Sequence, residues 1–305
     1  MTAPVGRFAP TPSGRMHLGN VFAALLGWLS VKSRGGSFVL RMEDLDTQRT
    51  SDGFAEILRQ DLRWLGLTWD LETEAQSKRA AVYDRYFEML ESQGLLYPCY
   101  CTRSQLHSVN APHLSDGTYV YPGTCRNLNA QERAAFDRAP AWRVKVPDKI
   151  WTVEDFVQGT YRENLATHCG DFVVRRADGV YVYQLAVTVD DGEAGVTEVV
   201  RGMDLLSSAP RQMYLQSLLG FSHPQYAHVP MLMAPDGRRL SKRDKDMDLG
   251  FLQQHLKPEQ LVGILGHACG LLPKPVAISP QELAASFSWE KVRKEDIYLD
   301  ISPFL

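Results

Sequence analysis

One stretch near the start of the chain constrains the fold more than any other. A short apolar run, V-G-R-F-A, leads into P-T-P-S-G-R-M-H-L-G-N, and an almost unbroken apolar run, V-F-A-A-L-L-G-W-L, follows. Val5–Ala9 reads as a first strand. From Leu18 onward, Leu18, Val21, Phe22, Leu25, Leu26 and Leu29 recur at helical spacing. Ala23, Ala24 and Trp28 add apolar surface on the other faces, so this helix is expected to be buried on most sides. Between strand and helix, Pro10, Pro12, Gly14 and Gly19 stiffen and bend a polar loop. A loop of that kind sets backbone N–H groups and the positive end of a helix at the C-terminal edge of a sheet, which favours an anion. The spacing is neither G-x-G-x-x-G nor a P-loop. His17 alone would cap a helix as readily as it would meet a phosphate.

The next segments repeat the alternation. S-F-V-L-R-M reads as a second strand after the stop at Gly35–Gly36. Thr50–Asp52 offers N-caps for a helix carrying Leu58, Leu62 and Leu65, ending at Gly66. Tyr83, Tyr86, Phe87 and Leu90 mark another, closed by Gly94. This β-α-β-α order predicts an α/β protein with a doubly wound, mainly parallel sheet. The texture changes between about Leu96 and Arg176, where Cys, Pro, Asn and Gly cluster around short strands and one charged helix near Gln131–Arg138. That is expected of an inserted domain. Strand-like runs return with Y-V-Y-Q-L-A-V-T-V and G-V-T-E-V-V-R-G, followed by a helix with Ser208 as its cap and Pro210 in its first turn, running to Gly220. After Y-A-H-V-P-M-L-M, a D-G turn opens the basic segment R-R-L-S-K-R-D-K, and beyond Leu249 the chain reads as helical.

At 305 residues the chain can bury a large core and divide into two or three domains. Its net charge of -3 gives no overall pull toward nucleic acid, so any such contact must come from local basic patches. The longest apolar stretches, Val21–Val31 and Leu261–Leu272, are too short for a bilayer, and no signal peptide is expected. Five cysteines, an odd number, point away from a disulfide framework and toward a reducing cytoplasm.

The loop at Lys242, taken by itself, is a solvated basic surface. Paired with the first stretch it means more. H-L-G-N opening the first helix and L-S-K-R some two hundred residues later resemble the signature pair of class I aminoacyl-tRNA synthetases. R-F-A-P-T-P-S-G, R-M-E-D-L-D-T-Q-R, Y-Q-L-A-V-T-V-D-D and V-T-E-V-V-R-G are similar to elements of glutamyl-tRNA synthetases. The resemblance implies a class I synthetase Rossmann-like sheet, split by an acceptor-type insert. It implies that His17, Gly19, Asn20, Ser241 and Lys242 meet ATP, with His17, Asn20 and Lys242 aiding the chemistry and Mg²⁺ accompanying the nucleotide. It assigns Arg7, Thr11, Glu43, Tyr183 and Arg201 to L-glutamate. The residue types suit that substrate: two arginines for two carboxylates, a carboxylate for the ammonium, and two hydroxyls. Asp190 and Asp191 receive no role, and Gly192 stands where the family pattern D-D-H has its histidine. T-P-S for S-P-T keeps a hydroxyl at both ends, and the S-K-R ending is tolerated in the family.

C-Y-C at 99–101 with Cys125 downstream resembles part of a tetrahedral zinc site. His107 and His113 are conventional fourth ligands. Y-P-G-T-C, however, resembles the Y-x-G-x-C of a short glutamyl-synthetase paralogue, which implies Cys99, Cys101, Tyr121 and Cys125. Cys169 and Cys269 are expected in the core.

Only about sixty residues follow Lys245, including L-V-G-I-L-G-H and F-S-W-E-K-V, which resemble the helical stem-contact region without an anticodon-binding domain. Length, cysteines and tyrosine together resemble the glutamyl-Q tRNA(Asp) synthetases. That resemblance implies glutamate activation by ATP and transfer to queuosine in the anticodon loop of aspartate tRNA, by a cytoplasmic monomer. Arg126, Arg133, Lys242, Arg243 and Lys245 would contact tRNA phosphate. The expected division is 1–95 and 181–245 for the two catalytic halves, 96–180 for the insert and 246–305 for the stem-contact region. Two alternatives are a truncated glutamyl-tRNA synthetase that charges a 3′ end and a catalytically silent tRNA-binding relative.

Overall fold

The computed structural model describes residues 2–102, 105, 120–238 and 248–305. Ser241, Lys242, Arg243, Lys245, His107 and His113 lie outside them.

The main sheet has seven strands, in the order β3 (Leu71–Glu72), β2 (Ser37–Leu40), β1 (Val5–Phe8), β9 (Glu198–Gly202), β10 (Gln225–Val229), β6 (Ile150–Asp155) and β7 (Gly159–Asn164). Neighbours run parallel except β6 and β7, which form an antiparallel hairpin. A second, antiparallel sheet joins β4 (Leu96–Cys99), β5 (Ala141–Val144) and β8 (Phe172–Arg175). A short parallel pair joins β11 (Leu232–Met233) and β12 (Ile297–Tyr298). The helices are α1 (Leu18–Lys32), α2 (Asp52–Trp64), α3 (Ala80–Ser92), α4 (Ala130–Ala134), α5 (Leu165–His168), α6 (Tyr183–Glu193), α7 (Ala209–Leu219), α8 (Leu249–His255), α9 (Pro258–Ala268) and α10 (Pro280–Ala284). Among the described residues no helix is long and apolar enough to cross a membrane.

Alternation along the central strands explains why helices cover both faces. Val200 and Ala227, paired in register, pack into the core built on α1, whereas Val199 and Tyr226, also paired, pack with Ala209 of α7. The first helix forms as its pattern requires. Leu18, Leu25, Leu26 and Leu29 are all essentially inaccessible, and each fully buried leucine contributes roughly 1.5–3 kcal/mol. Ser51 caps α2 by accepting the Phe54 N–H.

Three expectations change. Y-Q-L-A-V-T-V is helix, not strand: seven consecutive residues of α6, Leu185–Asp191, are buried, and a helix buried all round has no polar face to reveal its period. Ser208 does not cap α7 through its side chain; its hydroxyl accepts a bond from Gln184 instead. The C-terminal region is not wholly helical, because β12 closes on β11. Within the stretch 96–180, strands β6 and β7 belong to the main sheet. Their hairpin extends that sheet beside β10, since the buried alternation of Trp151, Val153 and Asp155 suits an outer position.

Candidate active site

A cleft of about 570 Å³ opens at the C-terminal ends of β1 and β9. These neighbours are where the strand order turns outward in both directions, the usual place for a ligand in such a sheet. Arg7, Thr11, His17, Gly19, Asn20, Glu43, Tyr183 and Arg201 all line it. Gly14 takes φ 145°, which a side chain would strain, so the loop can turn under the helix. His17 stands at the N-cap of α1 but makes no side-chain cap. A Cβ on Gly19 would lie 3.1 Å from its ring, so the glycine makes room for the imidazole. The first turn of α1 contains no acidic residue, which leaves the positive end of a 15-residue helix facing the cleft without a carboxylate of its own.

The floor is an ion network that the sequence reading missed. Arg41, fully buried, donates to Asp191 at 2.7 Å and to Glu43 at 3.1 Å, while Arg7 reaches Asp191 at 3.4 Å. Asp190 accepts from Arg79 and Gln76, each at 2.8 Å, and from the Tyr83 hydroxyl at 3.0 Å. Burial pushes the Asp191 carboxyl up, but the Arg41 and Arg7 guanidiniums beside it hold it below its ordinary value. Burial dominates at Glu43 and raises it despite the same two arginines. The signal for Arg41 was present in R-M-E: residues 41 and 43 share a face of an extended chain. The two aspartates became legible only once their segment proved helical.

The wall is built around Arg201. Its Nε donates to His228 Nε2 at 2.9 Å, and its Nη1 donates to Gln212 at 2.8 Å and to the Tyr183 hydroxyl at 3.4 Å. Arg201 Nη2 is buried and has no hydrogen-bond partner among the described residues. His228 Nδ1 lies 2.6 Å from Asp155, whose carboxylate also accepts the backbone N–H groups of His228, Val157 and Gln158. Burial depresses His228 and raises Asp155; the bond between them opposes both, and it leaves Asp155 below its usual value.

A second constellation lies away from the cleft lining. The sulfurs of Cys99, Cys101 and Cys125 lie within 4.8 Å of one another, with Cys101 and Cys125 3.6 Å apart. The Tyr121 hydroxyl is 3.4 Å from the Cys99 sulfur and 3.8 Å from that of Cys101. Four donors about 2.3 Å from a common centre would stand about 3.8 Å apart, so these residues fit a tetrahedral metal ion. Arg143 donates to Cys99 at 3.2 Å. Burial pushes the Cys99 thiol up, but Arg143 and its hydrogen bonds bring it below the ordinary range, toward thiolate. Burial and the neighbouring Cys99 push Cys101 up to about 12. Cys169 and Cys269 are buried, as expected. Arg126 does not stand free for a phosphate; it pairs with buried Asp171 at 3.1 Å.

The family model for tRNA synthetases class I (E and Q), catalytic domain, matches residues 5–264. The glutamyl-Q tRNA(Asp) synthetase of Symbiobacterium thermophilum is 44% identical over 96% of this chain and 94% of its own length. That of Nitratidesulfovibrio vulgaris is 42% identical over 93% and 91%. A crystal structure of a glutamate tRNA ligase from Elizabethkingia meningosepticum, in complex with its amino acid, superposes with a TM-score of 0.86 at 28% identity, covering 99% of this chain and 68% of that one. The α/β architecture, the mixed sheet and the end-to-end matches agree: the chain belongs to the glutamyl-Q tRNA(Asp) synthetase family of class I tRNA synthetases.

Proposed function

We propose that this enzyme activates L-glutamate with ATP and transfers it to the queuosine base of aspartate tRNA. The observation that carries this reading is the 44% identity to a glutamyl-Q tRNA(Asp) synthetase over nearly the whole of both chains, against 28% to a glutamate tRNA ligase. The cleft supports the first half of the reaction. Arg7 and Arg201 would hold the two carboxylates, Glu43 the ammonium, and Thr11 and Tyr183 would add hydroxyl contacts. His17, Gly19, Asn20 and the N-terminus of α1 would bind the phosphates of ATP together with Ser241 and Lys242.

No side-chain nucleophile is required. A glutamate carboxylate oxygen attacks the α-phosphorus in line and pyrophosphate leaves; Mg²⁺ bound with the nucleotide would share its charge. The residues contribute by holding the reactants together and by meeting the charge that develops, His17, Asn20 and Lys242 foremost. A hydroxyl of the queuosine ring then attacks the carbonyl carbon of the mixed anhydride. The new ester forms, the hydroxyl gives up its proton and AMP leaves.

Cys99, Cys101, Cys125 and Tyr121 would hold a structural Zn²⁺, whose role is to fasten the segment around β4. In this reading 1–95 and 181–245 are the catalytic halves, 96–180 is the acceptor-type insert joined to the sheet through β6 and β7, and 246–305 is the stem-contact region. Arg133, Lys242, Arg243 and Lys245 would meet tRNA phosphate, Arg126 only by releasing Asp171. The enzyme would work as a monomer in the cytoplasm, where its five thiols stay reduced.

Labelled glutamate should enter queuosine-containing aspartate tRNA and not the same tRNA lacking queuosine. Acylation indifferent to queuosine would instead favour 3′-end charging, the reading to which the glutamate tRNA ligase fold lends weight. Absence of glutamate-dependent ATP–pyrophosphate exchange would favour a silent tRNA-binding relative.

A further inference from the structure

We propose that Asp155 and His228 form a positioning pair that fixes the guanidinium of Arg201 for substrate, a role resting on the reading of the cleft as a glutamate site. Both side chains are inaccessible to solvent, and neither residue lines the cleft, so they act only through Arg201. The argument turns on one proton. An ionised carboxylate only accepts, and Asp155 already takes the N–H groups of Val157, Gln158 and His228. Its bond of 2.6 Å to His228 Nδ1 therefore places the imidazole hydrogen on Nδ1. The lone pair of Nε2 is then free to accept from Arg201 Nε, as the distance of 2.9 Å requires. Were the hydrogen on Nε2, two donors would face each other in a buried site.

The consequence falls on the far end of the guanidinium. His228 occupies Nε, while Gln212 and Tyr183 occupy Nη1. That leaves Nη2, buried and without a partner among the described residues, as the donor available to a carboxylate in the cleft. A guanidinium is planar, so securing two of its nitrogens sets the direction of the third. The pair thus sets the angle at which the substrate carboxylate is met, without contacting it. Asp155 comes from β6, in the stretch read from sequence as an insert, so that stretch reaches back into the site through one hydrogen-bond chain.

Three near-isosteric substitutions test this in glutamate-dependent ATP–pyrophosphate exchange with the full-length protein. Asp155→Asn turns an acceptor facing Nδ1 into a donor and forces the other tautomer. His228→Asn keeps a donor for Asp155 but loses the acceptor for Arg201. His228→Gln keeps that acceptor at the position of Nε2. We expect Asp155→Asn and His228→Asn to raise KM for glutamate roughly tenfold, the worth of one well-placed hydrogen bond, with KM for ATP within about twofold. His228→Gln should recover most of the loss. Nitrogen-15 spectra of the imidazole should show hydrogen on Nδ1 in the wild type and on Nε2 in Asp155→Asn. Unmoved glutamate KM in both asparagine variants, an equal rise for glutamate and ATP, or an Nε2–H tautomer in the wild type overturns the inference while adenylation stands. No exchange in the wild type overturns the adenylation reading, and this inference with it.

Discussion

Phe221 occupies the space that a side chain on Gly192 would need: a Cβ built there falls 2.5 Å from its ring carbons. Gly192 therefore owes its lack of a side chain to an aromatic ring arriving just beyond the end of α7. That ring also packs against Tyr86, with centroids 5.4 Å apart. Overfilling a packed site costs about 1–3 kcal/mol, and Gly192→Ala should lower the thermal midpoint correspondingly. Gly192→His should cost more. Combined with Phe221→Ala it should cost less than the sum of the two single changes, because the two positions share one volume. Additive losses in a double-mutant cycle would contradict this shared occupancy.

Asp191 neutralises two buried arginines, and Asp191→Asn would leave Arg7 without its carboxylate and Arg41 held only by Glu43 and Asp190. Removing one partner of a buried ion pair typically costs about 3–5 kcal/mol, enough to read in a urea titration.

Acid titration tests the same residue by another route. The Asp191 carboxyl is held below its ordinary value in the fold. The stability it supplies is therefore complete above the unfolded pKa of about 3.9 and is lost as pH falls through the lower, folded value. Glu43 has the opposite sign: raised by burial, its contribution is complete below about 4.3 and is lost as pH rises through the folded value. Stability measured between pH 2 and 4 should fall less steeply in Asp191→Asn than in the wild type. Glu43→Gln should gain relative stability above that window.

Arg15 links the loop before α1 to two helices. It donates to Asp61 of α2 at 3.1 Å and to Gln253 of α8 at 3.3 Å, and Leu249 N–H donates to the Met16 carbonyl at 3.0 Å. The helix that follows the lysine-bearing segment in sequence is thus fastened to the loop carrying His17. Arg15→Ala should slow ATP–pyrophosphate exchange with glutamate KM unmoved, and should lower stability by about 1–3 kcal/mol because Asp61 is left buried without its cation. An unchanged turnover would show that this tie has no bearing on ATP chemistry.

The residues that line the cleft were legible because each belongs to a loop or strand end whose residue types announce chemistry: Arg7 and His17 flank a Pro/Gly-stiffened turn, and Glu43 ends an apolar strand. The residues that hold them were not. Arg41 read only as part of the second strand and of a family-like element, Asp190 and Asp191 received no role, and His228 sat in an apolar run with none assigned. Their roles depend mostly on partners far along the chain, up to 184 positions away, which periodicity does not report. The misread helix α6 has the same origin. Its period is hidden by burial on every side, so the register that aims Asp190 and Asp191 at two arginine clusters exists only in the fold.

The cysteine cluster offers a test independent of the cleft, since none of Cys99, Cys101, Tyr121 and Cys125 lines it. Elemental analysis of protein purified without chelator should find about one zinc per chain, as a closed four-donor site requires. Tyr121→Phe removes one donor and keeps the ring over which Arg143 lies at 3.7 Å. It should weaken zinc retention against a competing chelator by at least the roughly tenfold to a hundredfold that loss of even an outer-shell partner costs. Stripping the metal should lower the thermal midpoint by loosening the segment around β4. Pyrophosphate exchange below that midpoint should persist, because adenylation is confined to the cleft, while transfer to tRNA declines. Protein that contains no zinc, or a Tyr121→Phe variant that retains it as tightly as the wild type, would refute the four-donor assignment.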